Sequence, residues 1–242
     1  MAAGACLLML RAARDAKDLG VPWHGLLRVL IVAYVGGWLG ARFFYVMEHR
    51  SLLPGSVWDL LVNPSLGGFS SYGGVLAAAA CAFLAARIGR LPPLAVLDVG
   101  AVGLCLFGIS ARLGCLLAGC CYGSPTSLPW GLVFPDGSPA ALRYGKATVH
   151  PSQLYEAAML ALLATILSLR PSHFPGERFL QLAAFYSGAR LLLDGFRGDA
   201  AAPNWLLDTA QLISAGVLIA SLSLMFVARG YRWKTSLSAS RE

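Results

Sequence analysis

The chain has 242 residues, of which 57% are hydrophobic and only 13% charged. Water-soluble domains carry about 25% charged residues, so this composition excludes a soluble globule and a disordered chain, and six cysteines over this length exclude a disulfide-dense mini-protein. In a chain this apolar, the net charge of +7 points to membrane orientation rather than to a nucleic-acid partner.

A membrane-crossing helix needs about 20 mainly apolar residues. In chain order, six stretches qualify: 26–47, 69–86, 94–118, 152–169, 178–196 and 205–228. The stretch 1–10 is apolar but too short to cross alone. No basic residue precedes it, so it reads as the second half of a helix rather than as a signal-peptide core. The expected fold is therefore all-α: a polytopic transmembrane helical bundle of six full spans plus an N-terminal half-span, forming a single integral-membrane domain over 1–242. The connector 119–150 and a tail from 229 to 242 flank the spans. The Ala77–Ala80 run reads as a small-residue helix face.

Basic residues orient the bundle. Twelve of the 19 fall on one side: Arg11, Arg14, Lys17, Arg28, Arg87, Arg90, Arg170, Arg178, Arg229, Arg232, Lys234 and Arg241. The other side receives four, Arg50, Arg143, Lys146 and Arg197, although it owns the two longest connectors. The positive-inside rule then makes the C-terminus cytoplasmic. The outer connectors are 49–68 and 119–150. Pro125, Pro129, Pro135 and Pro139, with Gly123, Gly131 and Gly137, exclude a long helix from the second. Its Trp130, Leu132, Val133 and Phe134 suggest a segment lying at the membrane surface.

Charges inside spans are costly, about 2.5–3.5 kcal/mol each on insertion scales. Arg190, Asp194 and Arg197 stand at i, i+4 and i+7 and share a helical face. Arg42 and Tyr45 lie on a helix that also carries Gly36-x-x-x-Gly40, a pattern that admits close helix approach. Arg112 sits near the end of its span, and Gln153 and Glu156 open the next. Arg42, Arg112 and Arg190 with few acids point to a polar cavity for an anionic ligand, since guanidinium forks suit phosphate oxygens. In a membrane, that ligand is a lipid headgroup. The alternative is structural: Arg190–Asp194 as an ion pair locking helices, the others reaching an interface. Asp98 and Asp208, near span ends, read as caps or ion-pair partners. His150 precedes Pro151 at an outer helix start, where free N–H groups favour anions and an imidazole suits proton transfer.

These residues line up as motifs. His150–Glu156, HPSQLYE, resembles the signature of the prolipoprotein diacylglyceryl transferase family. The run Gly36–Tyr45 resembles its GGxxGxRxxY helix, Gly67–Gly74 its GGxSxHGG stretch, and Arg112–Gly123 its RxGNFxNGExxG segment. Gly188–Arg197 resembles its FRxxxExxR helix. The order holds along nearly the whole chain.

The resemblance implies seven transmembrane helices and transfer of a diacylglyceryl group from phosphatidylglycerol to the thiol of a lipobox cysteine in prolipoprotein signal peptides, releasing glycerol phosphate. It implies a multi-pass protein of the bacterial inner membrane, acting in lipoprotein biosynthesis, with its active site toward the outer leaflet. Arg112, Arg190 and Arg197 would hold the headgroup phosphate, with Arg42, Tyr45, Gln153 and Gly123 also at the headgroup. Arg42 and Glu156 would support the cavity, His150 is the candidate base, and Tyr72 would orient donor or thiol. No cofactor, metal or nucleic acid is called for. The rival readings are a related membrane enzyme with another lipid donor or acceptor, and a non-catalytic anionic-lipid-binding or transport protein.

Four departures from the family pattern stand out. The family's opening helix is matched only in its cytoplasmic half, Met1–Leu10 followed by Arg11–Lys17. Tyr72 replaces the family histidine, and Asp194 the family glutamate. Cys115, Ala118 and Cys120 replace two asparagines and a glutamate. For Cys115, Cys120 and Cys121, a disulfide, a thiolate metal site and a reactive thiol all stay open, although the spacing is not a zinc signature. Cys6, Cys81 and Cys105 read as packing residues.

Overall fold

The computed structural model describes residues 2–18, 20–50, 56–63, 68–198 and 209–239. Asp208, Arg241, Gly67 and the first residues of the expected span 205–228 lie outside them. Among the described residues the protein is all-helical, with nine α-helices and no strand. In chain order these are α1 (Ala2–Asp18), α2 (Trp23–Glu48), α3 (Val57–Val62), α4 (Ser71–Ile88), α5 (Pro93–Ala118), α6 (Pro139–Tyr144), α7 (Ser152–Leu169), α8 (Glu177–Leu193) and α9 (Thr209–Ala239).

Four segments are long and apolar enough to cross a membrane: Trp23–Glu48, Pro93–Ala118, Ser152–Leu169 and Gln211–Gly230. The other two expected spans are shorter helices. The apolar part of α4 runs over Tyr72–Ile88. α8 has 17 residues, about 26 Å at 1.5 Å per residue, and Glu177, Arg178 and Arg190 lower its apolarity. The face 190–197 expected on one helix is broken. α8 ends at Leu193, a single 3-10 turn covers Asp194–Phe196, and Arg197 is extended.

The chain forms two compact units, Ala13–Val99 and Met1–Ala12 with Gly100–Glu242. In the first, α2 and α4 pack through small residues. A β-carbon at Gly40 would run into Ala77 and come within 2.8 Å of the Gly73 carbonyl, and one at Gly36 would run into Cys81. The Gly36-x-x-x-Gly40 pattern thus works as a close-approach surface, which only glycine permits. The loop before α4 is tied to α2 by Ser70 N–H donating to the Ala41 carbonyl at 2.9 Å. Short α3 starts with a capping box, Ser56 and Asp59 bonding each other's backbone N–H.

In the second unit, α5, α7 and α8 share a core of Ala101, Val102, Cys105, Leu160, Leu163, Ala164 and Leu167, with Leu182, Phe185 and Tyr186 packed on it. α8 is pinned to α9 by Glu177, fully buried, which accepts from Arg229 Nη2 at 2.8 Å. The connector between α5 and α7 holds a core of its own, Tyr122, Phe134, Ala140 and Val149. Trp130 and Val133 are exposed as a surface-lying segment requires, but Phe134 is buried in that core. Among the described residues the connector's pairing consists of isolated bridges, Pro125 and Leu132 each with Val149, and Gly123 with Arg197.

Candidate functional site

The site is built where α5 ends, α7 begins and α8 unwinds, all within the second unit. Glu156, one turn into α7 and 3% exposed, is its centre. Arg112 Nη2 lies 2.6 Å from Glu156 Oε2, while Arg197 Nη1 and Arg190 Nη1 lie 3.4 and 3.6 Å from Oε1. Asp194 is the second acid, with Arg190 Nε at 3.1 Å and Arg197 Nε at 3.9 Å from its Oδ1. Breaking α8 at Leu193 lets Arg197 turn back onto the same carboxylates. Tyr186 stands beside Arg112, a placement no sequence spacing signalled. Met159, Leu160, Phe185 and Leu193 wall an apolar cleft whose polar end is Glu156, Tyr186 and Arg190. Three guanidinium groups against two carboxylates leave the cluster one positive charge.

The start of α7 is held by the chain just after α5. Ser152 Oγ donates to the Cys121 carbonyl at 2.7 Å and Gln153 Nε2 to the Cys120 carbonyl at 2.8 Å. Pro151 is the helix N-cap rather than its first residue, and Leu154 N–H and Tyr155 N–H both turn back to its carbonyl. His150 sits just outside. Its Nδ1 lies 3.2 Å from the Tyr155 hydroxyl, which accepts from Trp130 Nε1 at 2.8 Å, and its ring packs edge-on against Phe196. Trp130, read from the sequence only as a surface aromatic, thus belongs to the histidine's surroundings.

Gly123 has a backbone role here. Its N–H donates to the His150 carbonyl at 2.9 Å, and Ser124 N–H to the Phe196 carbonyl at 2.8 Å. A β-carbon at Gly123 would run into His150 and approach the Phe196 carbonyl at 2.7 Å. Only glycine lets the chain before α6, the entry to α7 and the exit of α8 meet.

Arg42, Tyr45 and Tyr72 belong to the first unit. Arg42 is 1% exposed, with Nε, Nη2 and Nη1 donating to the carbonyls of Leu60, Asn63 and Gly68 at 2.7, 2.7 and 2.9 Å. It anchors α3 and the loop before α4 to α2. Tyr45 stacks on His49 at 4.3 Å, and Gly68 leaves room for its ring. Tyr72 is half-buried in the first turn of α4.

The three cysteines converge. Their Sγ atoms all lie within 4.8 Å of one another. Burial raises the Cys120 thiol above the usual cysteine range. The hydrogen bond with Cys115, together with burial, raises Cys121 further.

A family model described as prolipoprotein diacylglyceryl transferase matches residues 1–227. A phosphatidylglycerol–prolipoprotein diacylglyceryl transferase of Clostridium tetani is 28% identical over 223 residues, 89% of this chain and 86% of the relative. One of Nitrobacter winogradskyi is 31% identical over 86% of this chain and 72% of its own length. One of Gloeobacter violaceus is 30% identical over 78% and 72%. With the motifs in order and the match extending over nearly the whole length, the chain belongs to the prolipoprotein diacylglyceryl transferases, a family of transferase enzymes.

Proposed function

We propose that this chain transfers a diacylglyceryl group from phosphatidylglycerol to the lipobox cysteine of prolipoprotein signal peptides. The observation that carries this reading is the cluster of Arg112, Arg190 and Arg197 on Glu156 and Asp194. Its single excess positive charge suits a phosphodiester monoanion. The thiol sulfur attacks the glycerol carbon that bears the phosphodiester. A C–S bond forms, the C–O bond breaks, and glycerol phosphate leaves with the electron pair. The guanidinium groups stabilise the charge growing on the leaving phosphate.

The thiol must lose its proton to become nucleophilic. His150 accepts it at Nε2 when Nδ1–H is held by the Tyr155 hydroxyl, 3.2 Å away. Tyr72 orients donor or thiol, since a phenol with a pKa of about 10 is a poor base at neutral pH.

The protein sits in the bacterial inner membrane with six spans and an N-terminal half-span, its C-terminus cytoplasmic, as the distribution of basic residues supports. The site then faces the outer leaflet, where a lipobox helix end arrives. The test is the full chain reconstituted in vesicles with a lipobox peptide. A product heavier by one diacylglyceryl group in phosphatidylglycerol vesicles, and none in phosphatidylcholine vesicles, is expected. No product in phosphatidylglycerol vesicles would overturn the assignment.

A further inference from the structure

We propose that Cys115, Cys120 and Cys121 form a three-thiolate binding site for a soft d10 cation, Zn2+ or Cu+. The inference stands apart from the transferase reading and begins with how α5 ends. Gly119, at φ +65°, occupies the left-handed position after the last helical residue. Cys120 N–H then reaches back to the Cys115 carbonyl at 3.1 Å and Gly119 N–H to the Leu116 carbonyl at 3.2 Å. This paired closure is the Schellman arrangement, and it sets Cys120 beside Cys115, five residues back along the chain.

Cys121 completes the group at a backbone cost. Its φ is +57°, and among the described residues only Arg90 shares a positive φ without being glycine. A β-carbon makes this conformation unfavourable. Strain of this kind persists where the surroundings over-determine it and collects at functional sites. Here the surroundings are the bonds from Ser152 Oγ and Gln153 Nε2 to the Cys121 and Cys120 carbonyls.

The result is three sulfurs within 4.8 Å of one another, each partly buried. A metal–sulfur bond of about 2.3 Å places three thiolates about 4 Å apart around one ion, so the sulfurs need close by less than about 1 Å. Thiolates select soft cations over hard ones. On binding, each thiol releases its proton to solvent and donates a sulfur lone pair. Three thiolates leave a net charge of −1 on Zn2+ or −2 on Cu+, and the Arg112 and Arg197 guanidinium groups lie within electrostatic reach of Cys121 to offset it. With three protein ligands, zinc keeps a fourth position for water, whereas Cu+ is satisfied by trigonal sulfur coordination.

The test uses the full chain in detergent, reduced, stripped of metal with a chelator and kept anaerobic. Zn2+ and Cu+ are added separately, excess is removed, and bound metal is counted. Every cysteine is then mapped by alkylation and mass spectrometry. One ion per chain is expected, with alkylation slowed at least tenfold at Cys115, Cys120 and Cys121 and unchanged at Cys6, outside the cluster. Retention of zinc identifies the four-coordinate form. Retention of copper with near-ultraviolet thiolate-to-copper absorption identifies the trigonal form. Neither ion retained, with alkylation rates the same with and without metal, overturns the proposal. So does full metal retention in the C115S/C120S/C121S variant. The protection measurement on the unmutated chain needs no variant to fold.

Discussion

Replacing Glu156 with Gln preserves shape and deletes the charge on which three arginines converge. The nearest ion pair, Arg112 Nη2 to Oε2, is 2.6 Å long, and at an effective dielectric constant near 20 its gross attraction is about 6 kcal/mol. Desolvation of buried ions offsets much of that, so a net loss of about 3–5 kcal/mol is expected when one partner of a buried pair is removed. The variant should unfold at lower denaturant in mixed micelles. Lipid transfer to a lipobox peptide should fall about a hundredfold or more, the scale of losing one charge-stabilising group at a reacting centre. The cluster's excess positive charge also rises from one to two, so inorganic phosphate should stabilise Glu156→Gln more than the parent chain. A variant within about 1 kcal/mol of the parent, stabilised by phosphate to the same degree, would refute the charge argument.

Four further outcomes follow from the same contacts. Arg42→Lys keeps the charge but cannot reach three carbonyls at once; at about 1.5–3 kcal/mol per charged hydrogen bond, thermal stability should drop by at least one such bond. Gly40→Ala should cost about 1–3 kcal/mol by overpacking α2 on α4, measured by thermal unfolding, while Gly100→Ala, which has nothing within 4 Å of its added carbon, should be neutral or stabilising. Tyr155→Phe removes the hydroxyl beside His150 Nδ1; the initial rate of transfer to a lipobox peptide should fall about tenfold, one net hydrogen bond, whereas a tyrosine with no part in holding the histidine would leave the rate unchanged. At exposed Asp59 the hydrogen bond from Ser56 holds the carboxyl below its usual range. Its contribution to α3 is therefore present above the unfolded-state pKa and lost as pH falls through the folded one, so hydrogen exchange at the Asp59 amide should speed up on acidification and stay flat near neutrality.

The membrane class, the helix positions and most of the arginine cluster were legible in the sequence because each has a periodic or compositional cause. Apolar runs mark helices, with α7 matching its expected limits of 152–169, and ionisable residues in such runs are too costly to be incidental. Phe134 and Trp130 were not legible, since both read as surface aromatics. One packs under a connector that folds on itself, and the other bonds a hydroxyl 25 residues away. Tyr186 gave no signal either, because an aromatic residue in an apolar helix looks the same whether it only packs or stands beside a buried arginine.

The sequence by itself determined that the chain is helical and apolar enough for a multi-pass membrane protein, and which family motifs it carries. These properties depend on local composition and spacing. Only the tertiary structure decided that Glu156 is the shared partner of Arg112, Arg190 and Arg197, that Arg42 spends its donors on the backbone, and that three cysteines meet at the end of α5. Those outcomes depend on where helices stop and turn. Gly119, Gly123 and the broken end of α8 set them through backbone geometry, which residue spacing along a helix does not encode.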